Sequence, residues 1–341
     1  MELALYCPVH GYYETKTDNP GRWGDFYTSV GVGELFGQLL AFQFAEWLES
    51  MRTANGGLRI LEAGAHDGKL AGDMLAWLRL NRRGLFEQIE YWIVEPSLRR
   101  QEWQKKKLEQ YSSQVRWFTS FQSITENHPQ LTGIIFSNEL LDAMPVRRFG
   151  WDAANKCWFE WGVAIAGDEF IWARMPTAVP ASDFSLPVSP ELLEVLPDGY
   201  VVETCPAAEN WWRQAAKILK SGKLLTIDYG FTADELFSPV RTHGSLRAYY
   251  RHHATDDLFA NVGKQDLTAH VNFSAIEGVG KSAGLKTEIF QTQAQFLTRI
   301  LGNALHDKYF GNWTTAQGRQ FQTLTHPEHL GRAFRVLAQS C

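Results

Sequence analysis

Leu58-Arg59-Ile60-Leu61-Glu62-Ala63-Gly64-Ala65-His66-Asp67-Gly68 is the stretch that decides the fold. Leu58 to Leu61 reads as a buried strand, and the glycines after it read as a turn. Beyond the turn, Leu70, Met74 and Leu78 recur four apart with Ala71 and Leu75 beside them, which predicts an amphipathic helix. Strand, glycine turn and helix open the ligand site of a Rossmann-like fold. A pyrophosphate site uses uncharged glycines and a helix N-terminus. Here Glu62 and Asp67 flank the turn, and the second glycine of a GxGxxG pattern is missing. Two carboxylates beside a pyrophosphate cost energy, which disfavours an NAD(P) dehydrogenase. They suit a ligand with a cationic end and no phosphate, such as S-adenosylmethionine (SAM). An unspecific corner between a strand and a helix fits the same residues.

On either side the pattern repeats. Leu35, Leu39, Phe42, Ala45 and Leu48 have helical spacing, and Asn55-Gly56-Gly57 stops that helix. Residues before Tyr27 are rich in Tyr, Gly, Asp and Asn and read as loops outside the core. Gln88 to Glu95 is a second strand, followed by a basic helix from Ser97 to near Tyr111. Val115 to Phe118 is a third, and Gly133 to Asn138 a fourth, apolar enough to be buried on both faces. After Pro145, Cys157 to Val163 and Glu169 to Met175 read as a hairpin turning at Ala166-Gly167-Asp168. Pro176 to Pro197 reads as a loop, Tyr200 to Thr204 as a strand and Ala207 to Leu219 as a helix. Lys223 to Tyr229 is a fifth buried strand, and the rest reads as loop and helix, with Phe296 to Leu305 the clearest helix. The fourth and fifth strands flank the hairpin, so an insert in one continuous sheet is expected.

Ligands of open α/β sheets bind beyond the carboxyl ends of the strands. Those ends carry Glu62, Glu95, Asn138-Glu139 and Asp228. An acid at the position of Glu95 can accept both ribose hydroxyls of an adenosine, or cap the helix starting at Ser97. Glu139 and Asp142 are three apart, so a helical turn there would put both carboxylates on one face. Such a pair matches a guanidinium fork and can orient a nitrogen or take its proton. Acids that stabilise a helix N-terminus give the same spacing.

The net charge of −5 argues against a general nucleic-acid binder. Cys7, Cys157, Cys205 and Cys341 lie far apart without a CxxC pair, which reads as a reducing compartment and no zinc module. The histidines lack metal-ligand spacing, and no metal is expected. No apolar run approaches the roughly 20 residues of a membrane span. A soluble cytoplasmic protein is expected.

Six segments in order resemble the MidA-like SAM-dependent methyltransferases, over nearly the whole chain. Leu3-Ala4-Leu5-Tyr6-Cys7-Pro8 with Gly11-Tyr12-Tyr13 is similar to that family's first motif. Gly24-Asp25-Phe26-Tyr27-Thr28-Ser29 with Leu35-Phe36-Gly37 is similar to its most recognisable segment. Asn138-Glu139, Asp142-Ala143 and Pro145-Val146-Arg147 match the motif after the fourth strand. Ile227-Asp228-Tyr229-Gly230, Leu246-Arg247-Ala248-Tyr249 and Asp266-Leu267-Thr268-Ala269-His270-Val271 with Phe273 match three more. Two departures stand out: Val30-Gly31 replaces Pro-Glu, and Ala65-His66 replaces Pro-Gly in the turn. The chain begins inside the first motif, so a longer natural protein is expected.

The resemblance implies an α/β fold, a Rossmann-like class I SAM methyltransferase sheet with a β-hairpin insert and extra helical segments. Residues 1–56 are expected to form a cap and loop segment, and 57–341 the methyltransferase domain with its insert at about 150–200. It implies SAM bound by Asp25, Thr28, Glu62, Gly64, Ala65, Gly68 and Glu95. The loop Gly24 to Ser29 would close over it, and Asn138, Glu139 and Asp142 would serve catalysis. The implied substrate is a protein nitrogen such as an arginine, because the family's mitochondrial member is a complex I assembly factor that methylates arginine. The alternative expectation is a partner-binding or assembly factor on the same fold, with its turn weakened by His66.

Overall fold

The computed structural model describes residues 1–15, 28–51, 57–180, 190–251, 253–306, 310 and 313–341. Five parallel strands form the frame: β1 (Leu58–Ala63), β2 (Ile89–Val94), β3 (Val115–Phe118), β4 (Leu131–Asn138) and β5 (Leu219–Phe231). Two more extend it, β6 (Lys286–Thr292) and β7 (Phe334–Ser340). Their order is β6-β7-β5-β4-β1-β2-β3, with β7 antiparallel to both neighbours. This is a Rossmann-like α/β sheet whose strand order reverses between β1 and β4, where the β1 turn and the β4 end face one crevice.

Both faces are covered, which is why the central strands are buried along almost their whole length. On one face lie α1 (Leu35–Ser50), α2 (Lys69–Asn81), α6 (Gln293–His306) and α7 (Thr315–Thr325). On the other lie α4 (Pro206–Ile218) and α5 (Phe273–Ser282), with Trp212 fully buried between them and the sheet. Helix α3 (Leu98–Lys107) follows β2, and Ser97 caps it by accepting the Arg100 amide.

The insert is larger than a hairpin. Arg147–Asp152 and Val201–Thr204 join the hairpin strands Cys157–Ala166 and Glu169–Pro180 in one antiparallel four-stranded sheet. The strand Glu169–Pro180 and a helix at Pro190–Val195 also occupy much of the expected proline loop. In the last third, β6, β7 and a small sheet of Arg247–Tyr250, His253–Thr255 and Asp266–Thr268 replace the expected loops. The opening segment corrects the reading of its composition. Short helices Glu2–Tyr6 and Tyr12–Thr15 bury Leu5 and Tyr12 against Leu246, Ala248, Leu258, Leu267 and Ala269, in and beside the small sheet. Among the described residues, no helix is long and apolar enough to cross a membrane.

Candidate functional site

The β1 turn rests on backbone bonds that need its glycines. The Gly64 amide donates to Val94 O (3.3 Å) and the Gly68 amide to Ala65 O (2.7 Å). Gly64 and Gly68 have φ of 74° and 84°, and a Cβ on Gly64 would stand 2.7 Å from Leu140 Cδ1. His66 takes φ 46° without being glycine, and Gln104 Nε2 donates to its carbonyl (2.9 Å). The histidine ring lies beside Asp67 at 4.0 Å. The turn therefore forms with histidine at the position where the family has glycine.

Each acid at this end of the sheet has a distinct environment. Glu62 is 2% exposed and accepts the Tyr91 hydroxyl at 2.7 Å; burial pushes its pKa up to about 8. Burial also raises Asp67, but bonds from His66 and the Lys69 amide, with Lys107 nearby, outweigh it and hold the carboxyl low. Glu95 follows β2. Its Oε1 accepts the Ser97 amide (3.0 Å), and its Oε2 accepts Gln104 Nε2 (3.2 Å) with Arg100 Nη1 at 3.7 Å. Ser97, not Glu95, caps α3; the bond from the Ser97 amide holds Glu95 beside the helix start and leaves the rest of its carboxylate for other donors.

Beyond β4 the expected helical turn does not form. Glu139 takes φ 50°, its amide donates to Ile227 O, and residues 141–144 run as turns and bends. Pro145 two residues before the insert sheet leaves no room for a helix. Glu139 and Asp142 come together through tertiary structure instead. Glu139 Oε1 accepts Ser29 N and Asn138 Nδ2, both at 3.0 Å. Asn138 Oδ1 and Glu139 Oε2 are buried with no hydrogen-bond donor among the described residues.

Asp228, at the end of β5, accepts three amides: Leu140 (3.1 Å), Leu141 (2.8 Å) and Tyr229 (2.9 Å). Those bonds favour its charged form, although burial brings it up to about 7. Asp142 bonds to it and is raised well above the carboxylate range, by burial and then by Asp228, Asp266 and Glu139. Burial and the neighbouring acids thus favour the protonated form of Asp142 beside Asp228. Glu139 is pushed up to about 8 by burial, with Asp228 and Asp266 adding to the shift and its bonds from Asn138 and Ser29 opposing it.

Sequence reasoning named most of this wall, Thr28 and Ser29 included, but missed Gln293, Asp266 and Tyr6 behind it. Thr28 caps the short helix Ser29–Val32, and Ser29 Oγ donates to Gln293 Oε1 (3.0 Å), so this segment ties the acid of Glu139 to α6. Ala65 is buried in the turn. Asp25 and most of the loop Gly24 to Ser29 lie outside the described residues. Asp266 comes from the small sheet and is fully buried; Tyr13 hydrogen-bonds to it. Tyr6 donates to Ala143 O at 2.9 Å from 137 residues away. The only trace of Asp266 in the sequence is its place in the Asp266-Leu267-Thr268 motif.

A strand-turn-helix ligand corner facing a pocket of buried acceptors is the arrangement of a SAM-dependent methyltransferase. Residues 39–291 match the family described as "Putative S-adenosyl-L-methionine-dependent methyltransferase", and the chain belongs to that family. A Burkholderia thailandensis protein solved with S-adenosyl-homocysteine superposes with a TM-score of 0.83 at 32% identity. That likeness covers 100% of this chain and 86% of the other. "Protein arginine methyltransferase NDUFAF7, mitochondrial" of Mus musculus is 28% identical over 84% of this chain, which spans 66% of that relative's length. The Danio rerio protein of the same name is 26% identical over 99% of this chain and 81% of its own.

Proposed function

We propose that this chain moves the methyl group of SAM to a nitrogen of a protein side chain, with arginine the foremost acceptor. The observation that carries the reading is the pair of donor-less acceptors, Asn138 Oδ1 and Glu139 Oε2, beside the acids Asp142, Asp228 and Asp266. The main charged groups acting on Asp142 are those other acids. A pocket of this kind is stabilised by a donor-rich cation, and a planar guanidinium offers five N–H groups. The names of the mouse and zebrafish relatives support the same acceptor.

When bound, SAM supplies an electrophilic methyl group on a positively charged sulfur. In this reading Glu95 accepts ribose hydroxyls, and Thr28, Glu62, Gly64, Ala65 and Gly68 line the remaining wall. Asn138 and Glu139 fix the plane of the acceptor. Glu139 then takes the proton that the nitrogen gives up. Its pKa of about 8 suits a base working near neutrality, and a bound cation lowers it further into the ionised range. Proximity and fixed carboxylates supply the catalysis. A reducing compartment, the cytoplasm first, belongs to the same proposal, since all four cysteines are free thiols.

The test is label transfer from methyl-labelled SAM to arginine-, lysine- and histidine-containing peptides, followed by acid hydrolysis and amino-acid analysis. Methylarginine is the expected product. Label in methyllysine alone, or only in carboxyl esters, overturns the arginine assignment.

A further inference from the structure

Arg100 sits between two buried carboxylates. It lies in the first turn of α3 and is itself 8% exposed. Its Nη2 reaches Glu14 Oε1 at 3.2 Å, a hydrogen bond, whereas its Nη1 stands 3.7 Å from Glu95 Oε2, too far for one. Glu14 belongs to the helix Tyr12–Thr15 and is held on its own account. Its Oε2 accepts Ser97 Oγ (2.7 Å), its backbone carbonyl accepts Arg99 Nη1 (2.7 Å), and the adjoining Tyr13 ring stacks 5.4 Å from the Arg100 guanidinium.

The consequence lies in the lone pairs of Glu95. An ionised carboxylate offers about four acceptor sites. Among the described residues, Ser97 N and Gln104 Nε2 take two. An Arg100 drawn fully onto Glu95 would make a bidentate pair and consume the rest. We propose that Glu14 is a positioning residue for cofactor recognition: by drawing Arg100 away from Glu95, it leaves acceptor sites on that carboxylate open to the two ribose hydroxyls. The proposal rests on Glu95 being the ribose acid. It gives the segment Glu2–Thr15 a part in cofactor selectivity, its Glu14 reaching Glu95 through Arg100 and Ser97.

The experiment is calorimetry with S-adenosylhomocysteine and with its 2′,3′-dideoxyribose analogue. The native protein is expected to prefer the ribose form by roughly tenfold or more, the worth of hydrogen bonds to an ionised acceptor. In Glu14→Gln the preference should fall below about threefold, with the dideoxy affinity unchanged. Glu14→Asp, which keeps the charge, should retain most of the preference. In an Arg100→Gln background, Glu14→Gln should make no further difference. Equal weakening of both ligands by Glu14→Gln, or a preference that survives it, overturns the role of Glu14. So does an Asp variant as indifferent as the Gln variant. A native protein that binds both ligands equally removes Glu95 as the ribose acid, and the proposal falls with it.

Discussion

Replacing Glu139 by glutamine should make the protein more stable and less active, and the stability gain should grow as the pH rises from about 4.5 to about 8. The folded state holds a proton on Glu139 up to about pH 8, whereas the unfolded chain releases it near 4.5. Between those values the folded state binds more protons, so raising the pH erodes stability. At 1.36 kcal/mol per pH unit the interval amounts to at most about 5 kcal/mol by pH 8 and above. Glutamine carries no charge to lose. Its carbonyl can keep the bonds from Ser29 and Asn138, and its amide hydrogens replace Oε2 where Asp228 and Asp266 exert their field. The assay is thermal unfolding of both proteins from pH 5 to pH 9. The melting temperatures should coincide near pH 5 and diverge by several degrees at pH 9, with the variant higher, at about 2 °C or more per kcal/mol. Turnover should fall by about 10²–10⁴ while S-adenosylhomocysteine still binds. A gap of constant size at every pH, or a variant less stable at pH 9, would refute the placement of an uncompensated acid at this position.

Three further outcomes follow from the same geometry. Asp142→Asn keeps a donor towards Asp228 and should shift stability by less than about 1 kcal/mol in denaturant titration, whereas Asp228→Asn, which weakens the acceptor of three amides, should cost about 2–3 kcal/mol. Reversal of that order would show that the proton sits on Asp228. Tyr91→Phe removes the hydroxyl bonded to buried Glu62 and should cost about 1–3 kcal/mol, rising with pH as the carboxyl ionises; a flat pH profile would contradict it. Glu95→Ala should weaken S-adenosylhomocysteine binding about 10- to 100-fold in calorimetry with little change in far-UV dichroism, since a charged acceptor is lost; unchanged affinity would exclude Glu95 from the cofactor site.

What could be read in the sequence was whatever depends on short spacing. Leu58 to Gly68 and the helix after it, the basic helix capped by Ser97, and the apolar run into Asn138 all follow from neighbours within a few residues. The acids at strand ends were visible for the same reason. Glu139 and Asp142 misled, because a three-residue spacing is helical only if the backbone permits it, and here Glu139 is left-handed with its amide tied to β5. Leu5 and Tyr12 looked like loop residues because each is buried by partners some 240 residues away, which no local pattern encodes. Strand β6 alternates weakly, with a single fully buried side chain, Ile289, since it is an edge. Arg147–Asp152 was hidden by its two arginines and a glycine. Asp266 needed the small sheet to be folded before its position beside Asp142 had any meaning.

The place of β7 bears on how the molecule comes together. The strand Lys286–Thr292 hydrogen-bonds to the sheet only through Phe334–Ser340, which must first lie down against Leu219–Phe231. Joining β5 to β7 closes a loop of roughly a hundred residues, an entropic cost met before the reward of pairing arrives. Until then β5 is an open edge, the kind of surface that recruits a second chain. Loop closure therefore favours sheet completion late in assembly, and aggregation during refolding should track how slowly Phe334–Ser340 finds its slot.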